Sequence, residues 1–149
     1  AVLSDATCTA LQVTNHLQDV RRDLLDRDRI YLPAESTRHI ADFEYRLRRT
    51  AEQEYGCDRA FLGEYREVVH ALADRTWSLF EKGEELLPSL SAEALPVVRL
   101  FGEGGQHVLR ALHHWNYETC IHRPRLSSLA KLRLVARAWL SARAAGRAA

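Results

Sequence analysis

Methionine is absent from all 149 residues, and cysteine is scarce: Cys8, Cys57 and Cys120 stand far apart. Without a C-x-x-C pair there is no zinc-ribbon signature. Three scattered thiols do not make a disulfide framework either, and a reducing cytoplasm fits best. Two of the 21 basic residues, Lys82 and Lys131, are lysines, and the others are arginines. No apolar run approaches the ~18 residues of a membrane-spanning helix, and no secretory signal is visible. No segment alternates with period two and no hairpin turn pair appears, which argues against sheets. G-E-G-G at 102–105 lacks the P-loop lysine, and no G-x-G-x-x-G follows a strand-like run, so nucleotide-binding signatures are missing. A net charge of +1 makes no general case for nucleic acid. A chain without methionine that opens inside an apparent helix is expected to be the C-terminal part of a longer protein.

What is present is helical periodicity. Apolar residues make up 46% and charged residues 28%, an ordinary globular composition. A chain of this length can bury a single-domain core, removing roughly 70% of its unfolded surface from water. One helix is expected over residues 1–26, capped by Ser4 or Asp5, with Ala6, Ala10, Leu11, Val13, Leu17, Val20, Leu24 and Leu25 as its apolar side. Tyr31-Leu32-Pro33 is expected to be extended. A second helix is predicted over 36–55, capped by Ser36 or Thr37, with Arg46, Arg48 and Arg49 as a solvated basic face. The spacing of Phe61, Tyr65, Val68, Val69, Leu72, Thr76, Leu79, Phe80, Gly83 and Leu87 predicts a core helix over 58–87. A fourth helix is expected over 91–120, where Gly102, Gly104 and Gly105 ask for a close neighbour or a kink. His113 and His114 diverge by about 100° on a helix, so with His122 they read as satisfied or surface histidines rather than metal ligands. The last helix, 126–143, opposes Leu129, Leu132, Val135, Ala138 and Trp139 to Lys131, Arg133, Arg137 and Arg143. It is expected to pack, although the same pattern could touch a membrane surface. The tail from Ala142 is expected to fray. The fold class is all-α.

The chemistry-bearing stretch is 11–32, LQVTNHLQDVRRDLLDRDRIYL. Asn15, Asp19 and Asp23 stand four apart, and Gln12 precedes Asn15 by three, so all four share one helix face with ~40° of drift per step. A carboxamide and two carboxylates are hard oxygen donors. They suit Mg²⁺, which binds through a few carboxylates while keeping water and phosphate oxygens. The competing reading is a solvated acidic stripe balanced by Arg21, Arg22, Arg27 and Arg29.

Followed at once by D-R-D-R-I-Y-L-P, this helix resembles the second aspartate-rich motif of the squalene/phytoene synthase family, the head-to-head isoprenyl diphosphate synthases. The likeness continues through R-T-W-S-L-F-E-K-G-E-E-L-L from Arg75, the G-E-G-G-Q-H-V-L segment, and the R-P-R-L-S ending at Arg123 to Ser127 with Lys131. Gln18, where phytoene and dehydrosqualene synthases usually carry arginine, and Gly105, where they often have tyrosine, make the hydroxysqualene synthase branch of bacterial hopanoid biosynthesis the most similar. The resemblance implies an isoprenoid-synthase helical bundle of which this is the C-terminal half. The first aspartate-rich motif would lie in a missing N-terminal half. Asn15, Asp19 and Asp23 would hold Mg²⁺, with Asp19 and Asp23 catalytic and Gln12, Arg29 and Tyr31 on the substrate. The implied reaction turns presqualene diphosphate into hydroxysqualene without nucleic acid or nicotinamide. Two alternatives stay open: a phytoene or dehydrosqualene synthase, and an inactive partial copy serving as a helical interaction module.

Overall fold

A computed structural model describes residues 1–56, 58–125 and 127–145. Cys57, the expected helix start at Leu126, the side chain of Arg143 and the tail beyond Ala145 lie outside the described residues. Every regular element among the described residues is a helix. The elements are α1 (Val2–Gln18), α2 (Val20–Arg27), α3 (Ala34–Thr37), α4 (Phe43–Gln53), α5 (Arg59–Glu84), α6 (Ala94–His114) and α7 (Ser128–Ala145), with short 3₁₀ turns at Glu54–Gly56 and Leu87–Ser89.

The core is where α1, α5 and α6 meet. On α1 the buried residues Ala6, Ala10, Thr14 and Leu17 form one stripe at helical spacing. The stripe of α5 runs from Phe61 through Tyr65, Val69, Leu72 and Thr76 to Phe80. Thr14 and Thr76 lie in this apolar seam because each hydroxyl donates to the carbonyl four residues back, Ala10 and Leu72, both at 2.7 Å. Small residues allow the close approach. A Cβ at Gly83 of α5 would run into Thr7 of α1, and one at Gly105 of α6 would run into the Phe80 ring and Leu11.

Three boundaries differ from the sequence reading. The first helix starts at Val2 without a side-chain cap from Ser4 or Asp5. It is also divided at Asp19, whose φ of −101° and ψ of 10° leave the helical basin. The Arg21 N–H turns out of the helical ladder there to donate to the Thr119 carbonyl at 3.3 Å, so a carbonyl from a distant loop makes the break. The expected helix 36–55 is two pieces, α3 and α4, separated by a turn ending on Asp42, which has φ 50°. Its arginines are tethered rather than simply solvated. Arg46 bonds Asp58 and Glu64 and lies over Phe61, Arg48 pairs with Asp28 at 2.5 Å, and Arg49 bonds Tyr45. The fourth helix begins at Ala94 and ends at His114, and it continues unbroken through its three glycines. Of these, Gly105 has the close neighbour, while a Cβ at Gly102 or Gly104 would meet nothing.

The chain after α6 is not helical, yet Tyr117 to Ile121 are all buried. Left-handed Asn116 and Tyr117 turn it inward. The Tyr65 and Thr119 hydroxyls bond at 2.6 Å, and Glu118 takes hydrogen bonds from Arg66 and Tyr55. This loop, 115–125, braces the α1–α2 junction.

Candidate functional site

Site geometry follows from the break at Asp19. The backbone continues across it, with the Asp19 N–H on the Asn15 carbonyl at 3.0 Å and the Asp23 N–H on the Asp19 carbonyl at 2.8 Å. Asp19 and Asp23 therefore stay one turn apart. They are 6% and 3% exposed, deep burial for carboxylates. Arg22 joins them: one of its guanidinium nitrogens lies 2.5 Å from an Asp19 oxygen and 3.3 Å from an Asp23 oxygen. Both carboxylates thus open toward a common point. Arg27 adds a contact to Asp23 at 3.2 Å, and Arg123, from the bracing loop, donates to Asp19.

The other motif residues stand on the rim. Gln12 and Asn15 are exposed, Asn15 one turn before Asp19. At the end of α2, Asp28 is left-handed at φ 55° and the Arg29 N–H folds back to the Asp23 carbonyl at 3.0 Å. This return carries the chain back along α1. Tyr31 stacks on His16 with ring centroids 4.3 Å apart, and Arg29 donates to the Tyr31 hydroxyl at 3.2 Å. That hydrogen bond, more than any other contact, holds the Arg29 pKa above its ordinary value. Behind the stacked pair lies an apolar cavity of about 150 Å³, lined by Val13, Leu17, Leu72 and Leu79 with Arg75 at its edge.

Residues far apart in sequence meet here. Gln18 donates its side-chain amide to the Pro124 carbonyl at 2.5 Å, next to Arg123 on Asp19. The helix position and the Arg-Pro pair singled out separately in the sequence are therefore direct partners. His16 and Arg123 were missed as site residues: His16 joins the site through its stacking on Tyr31, 15 residues on, and Arg123 lies 104 positions from Asp19. Arg22 and Arg27 were legible only as balancing charge, although Arg22 lies three residues from Asp19 and Arg27 four from Asp23. His113 and His114 sit edge-on to Tyr117 and Trp115, and His122 packs with Trp115 and Tyr55.

Two buried carboxylates with a carboxamide one turn earlier form a hard-oxygen donor set. It fits a Mg²⁺ ion that also keeps water and phosphate oxygens, and it does not fit a closed zinc centre. Among the described residues no three His, Cys, Asp or Glu side chains converge into a cage. The donors therefore suit a cation shared with an anionic ligand. Three guanidinium groups neutralise the pair as it stands, so a metal at these oxygens has to displace at least the bridging Arg22.

A stretch of 33 residues is 54% identical to the hydroxysqualene synthase of Zymomonas mobilis, covering 22% of this chain and 11% of that relative. The match therefore spans about a tenth of the relative's length. No solved structure matches. The protein-family model for squalene/phytoene synthase matches residues 2–134. With the helical bundle and the paired aspartates, this means that the chain belongs to the squalene/phytoene synthase family.

Proposed function

We propose that this chain supplies the diphosphate-binding helix of a Mg²⁺-dependent isoprenoid diphosphate synthase, acting on presqualene diphosphate to give hydroxysqualene and diphosphate. The observation that carries the proposal is the convergence of two buried carboxylates, Asp19 and Asp23, on one point, where a single Arg22 nitrogen reaches both. Asn15, Asp19 and Asp23 would hold the metal, whose contribution is to neutralise charge on the leaving diphosphate. Arg22 and Arg123, released from the carboxylates, are placed to take phosphate oxygens, for which guanidinium has matching donors. Arg29 and Tyr31 hold the rim through their mutual hydrogen bond. The carbon–oxygen bond of the substrate breaks with both electrons leaving on diphosphate. The resulting cation rearranges and takes up water, which releases a proton. Bulk water has to be kept from the hydrocarbon until then, and Val13, Leu17, Leu72 and Leu79 would supply only a small part of that apolar wall.

A second reading, an inactive helical module, is favoured by one observation: arginines already neutralise both carboxylates. Titration with Mg²⁺ and inorganic pyrophosphate, followed by NMR of the amides of 12–31, separates the two. The proposal expects saturable shifts centred on Asp19 and Asp23 that vanish in Asp19→Asn. Absence of any shift at millimolar Mg²⁺ with pyrophosphate would leave the carboxylates as a purely structural ion-pair network.

A further inference from the structure

Arg123 reaches Asp19 from a stretch of chain with little backbone support. The buried run 117–121 is fastened independently. Thr119 accepts the Arg21 N–H on its carbonyl and bonds the Tyr65 hydroxyl, and Glu118 accepts from Arg66. The His122 N–H still returns to the Glu118 carbonyl at 2.9 Å. Beyond it, among the described residues, neither the Arg123 nor the Arg125 N–H has a backbone acceptor, and Pro124 has no N–H to give. Where Arg123 stands is therefore set by side chains. On one flank Gln18 donates to the Pro124 carbonyl. On the other, His122 Nε2 lies 2.5 Å from the Tyr55 hydroxyl. The imidazole also packs against the Tyr55 and Trp115 rings, with centroids 5.5 and 4.6 Å away. Tyr55 comes from the 3₁₀ turn that follows α4, and its hydroxyl lies 3.3 Å from a Glu118 oxygen as well. One hydroxyl thus meets both the buried root of the loop and the residue next to Arg123.

We infer that Tyr55 and His122 are positioning residues, whose hydrogen bond latches the loop so that Arg123 stays beside Asp19. The inference deepens the proposed function and rests on it for its ligand. While Asp19 is free of metal, Arg123 is held by the carboxylate itself. Once a cation takes those oxygens, that contact is lost. What then keeps the guanidinium beside a diphosphate is the latch on one flank and the Gln18 amide on the other. A side chain as long as arginine gives up rotamer freedom when it binds, and a backbone already fixed on both flanks lowers the cost of placing it. The Tyr55 ring is exposed, so removing its hydroxyl leaves the core intact. A role in packing alone would leave ligand affinity untouched.

The test is NMR and calorimetry on the full chain, comparing wild type with Tyr55→Phe, His122→Ala and Glu54→Gln. Without ligand, the Gln18 side-chain amide and the Arg123 Nε–H report on the junction directly. Both resonances are expected to move in Tyr55→Phe and in His122→Ala. They should stay in place in Glu54→Gln, which loses the ion pair with Arg21 instead. With Mg²⁺ present, inorganic pyrophosphate is expected to bind Tyr55→Phe about fivefold more weakly, the loss of one hydrogen bond. In an Arg123→Gln background the same substitution should change affinity by less than about twofold, because the residue it acts through is gone. Resonances that do not move overturn the inference, and so does an affinity loss of the same size with and without Arg123. Pyrophosphate that binds wild type and Tyr55→Phe equally overturns it too. A wild-type chain that binds no pyrophosphate sinks the proposed function instead, and the latch is then decided by the two resonances alone.

Discussion

Asp19 is both the hinge of the first helical segment and a carboxylate shared by two arginines, so substitutions there separate chemistry from packing. Asparagine keeps the shape and removes the charge. Arg22 and Arg123 are about one-third exposed, at 33 and 32%. They can therefore turn to water when Asp19 is neutralised, and the fold should survive. In the intact enzyme, Asp19→Asn and Asp23→Asn are each expected to lower kcat on the order of 10³-fold, and KM much less. The lost interaction grows as charge develops on the departing diphosphate. Arg21 is the contrasting neighbour. It points the other way, donating to the Ala51 carbonyl at 3.0 Å and pairing with Glu54 at 2.9 Å at the end of α4. Arg21→Ala should cost about 1 kcal/mol of stability and leave kcat near normal. Steady-state kinetics with thermal melts on all three variants checks the set. Near-normal kcat in both asparagine variants, or an equal loss in Arg21→Ala, would reduce the acidic face to a structural one.

At the scale of elements, the glycines of α6 divide by what faces them. Gly104 has open space, so Gly104→Ala should gain up to about 1 kcal/mol from helix propensity. Gly105 abuts the buried Phe80 ring, and Gly105→Ala should lose about 1–3 kcal/mol through overpacking. Denaturant melts decide the matter, and matching signs would refute the packing account. Helix α5 offers a pH-dependent case. Asp58 accepts from the Ala60 and Phe61 amides at 3.0 and 3.1 Å and pairs with Arg46. The Phe61 amide foremost, with Arg46, holds its pKa below the ordinary carboxylate range. A carboxyl depressed in the folded state contributes stability above its unfolded pKa of about 4 and loses it as pH falls through the folded value. Asp58→Ala should therefore lower Tm at neutral pH, and the gap should close toward strongly acid pH; a gap that stays constant with pH would sink this. Sequence spacing made α5 legible because one stripe decides its whole length. The same spacing could not reveal the break at Asp19, whose cause is the Thr119 carbonyl. Nor could it reveal the turn before α4, which ends on a left-handed Asp42 without glycine or proline to mark it. For the site, the Asn15, Asp19 and Asp23 register was readable locally. Arg123, 104 positions from its partner, was not.

For the molecule as a whole, the question is whether one carboxylate helix and its bracing loop can turn over a substrate. Binding and turnover make different demands. A weak complex with Mg²⁺ and diphosphate needs only the oxygens of Asp19 and Asp23 and the nearby arginines. Turnover also requires the leaving group to be held from more than one direction and the cation to be shielded from water, and rates fall steeply when positioning is incomplete. Among the described residues no third acidic or histidine ligand joins the pair. The apolar cavity behind Tyr31 is about 150 Å³, well under the roughly 300–1,000 Å³ of pockets that enclose small molecules. A presqualene chain placed there would lie largely in water. The purified 149-residue chain is therefore expected to shift on addition of Mg²⁺ and pyrophosphate, yet to release little diphosphate and no hydroxysqualene above background from presqualene diphosphate. Product analysis by chromatography together with a continuous diphosphate-release assay makes the measurement. Sustained turnover by this chain alone would mean that the α1–α2 junction and its arginines suffice for the chemistry, and that shielding of the cation comes from substrate folding or a lipid surface rather than from an enclosing pocket.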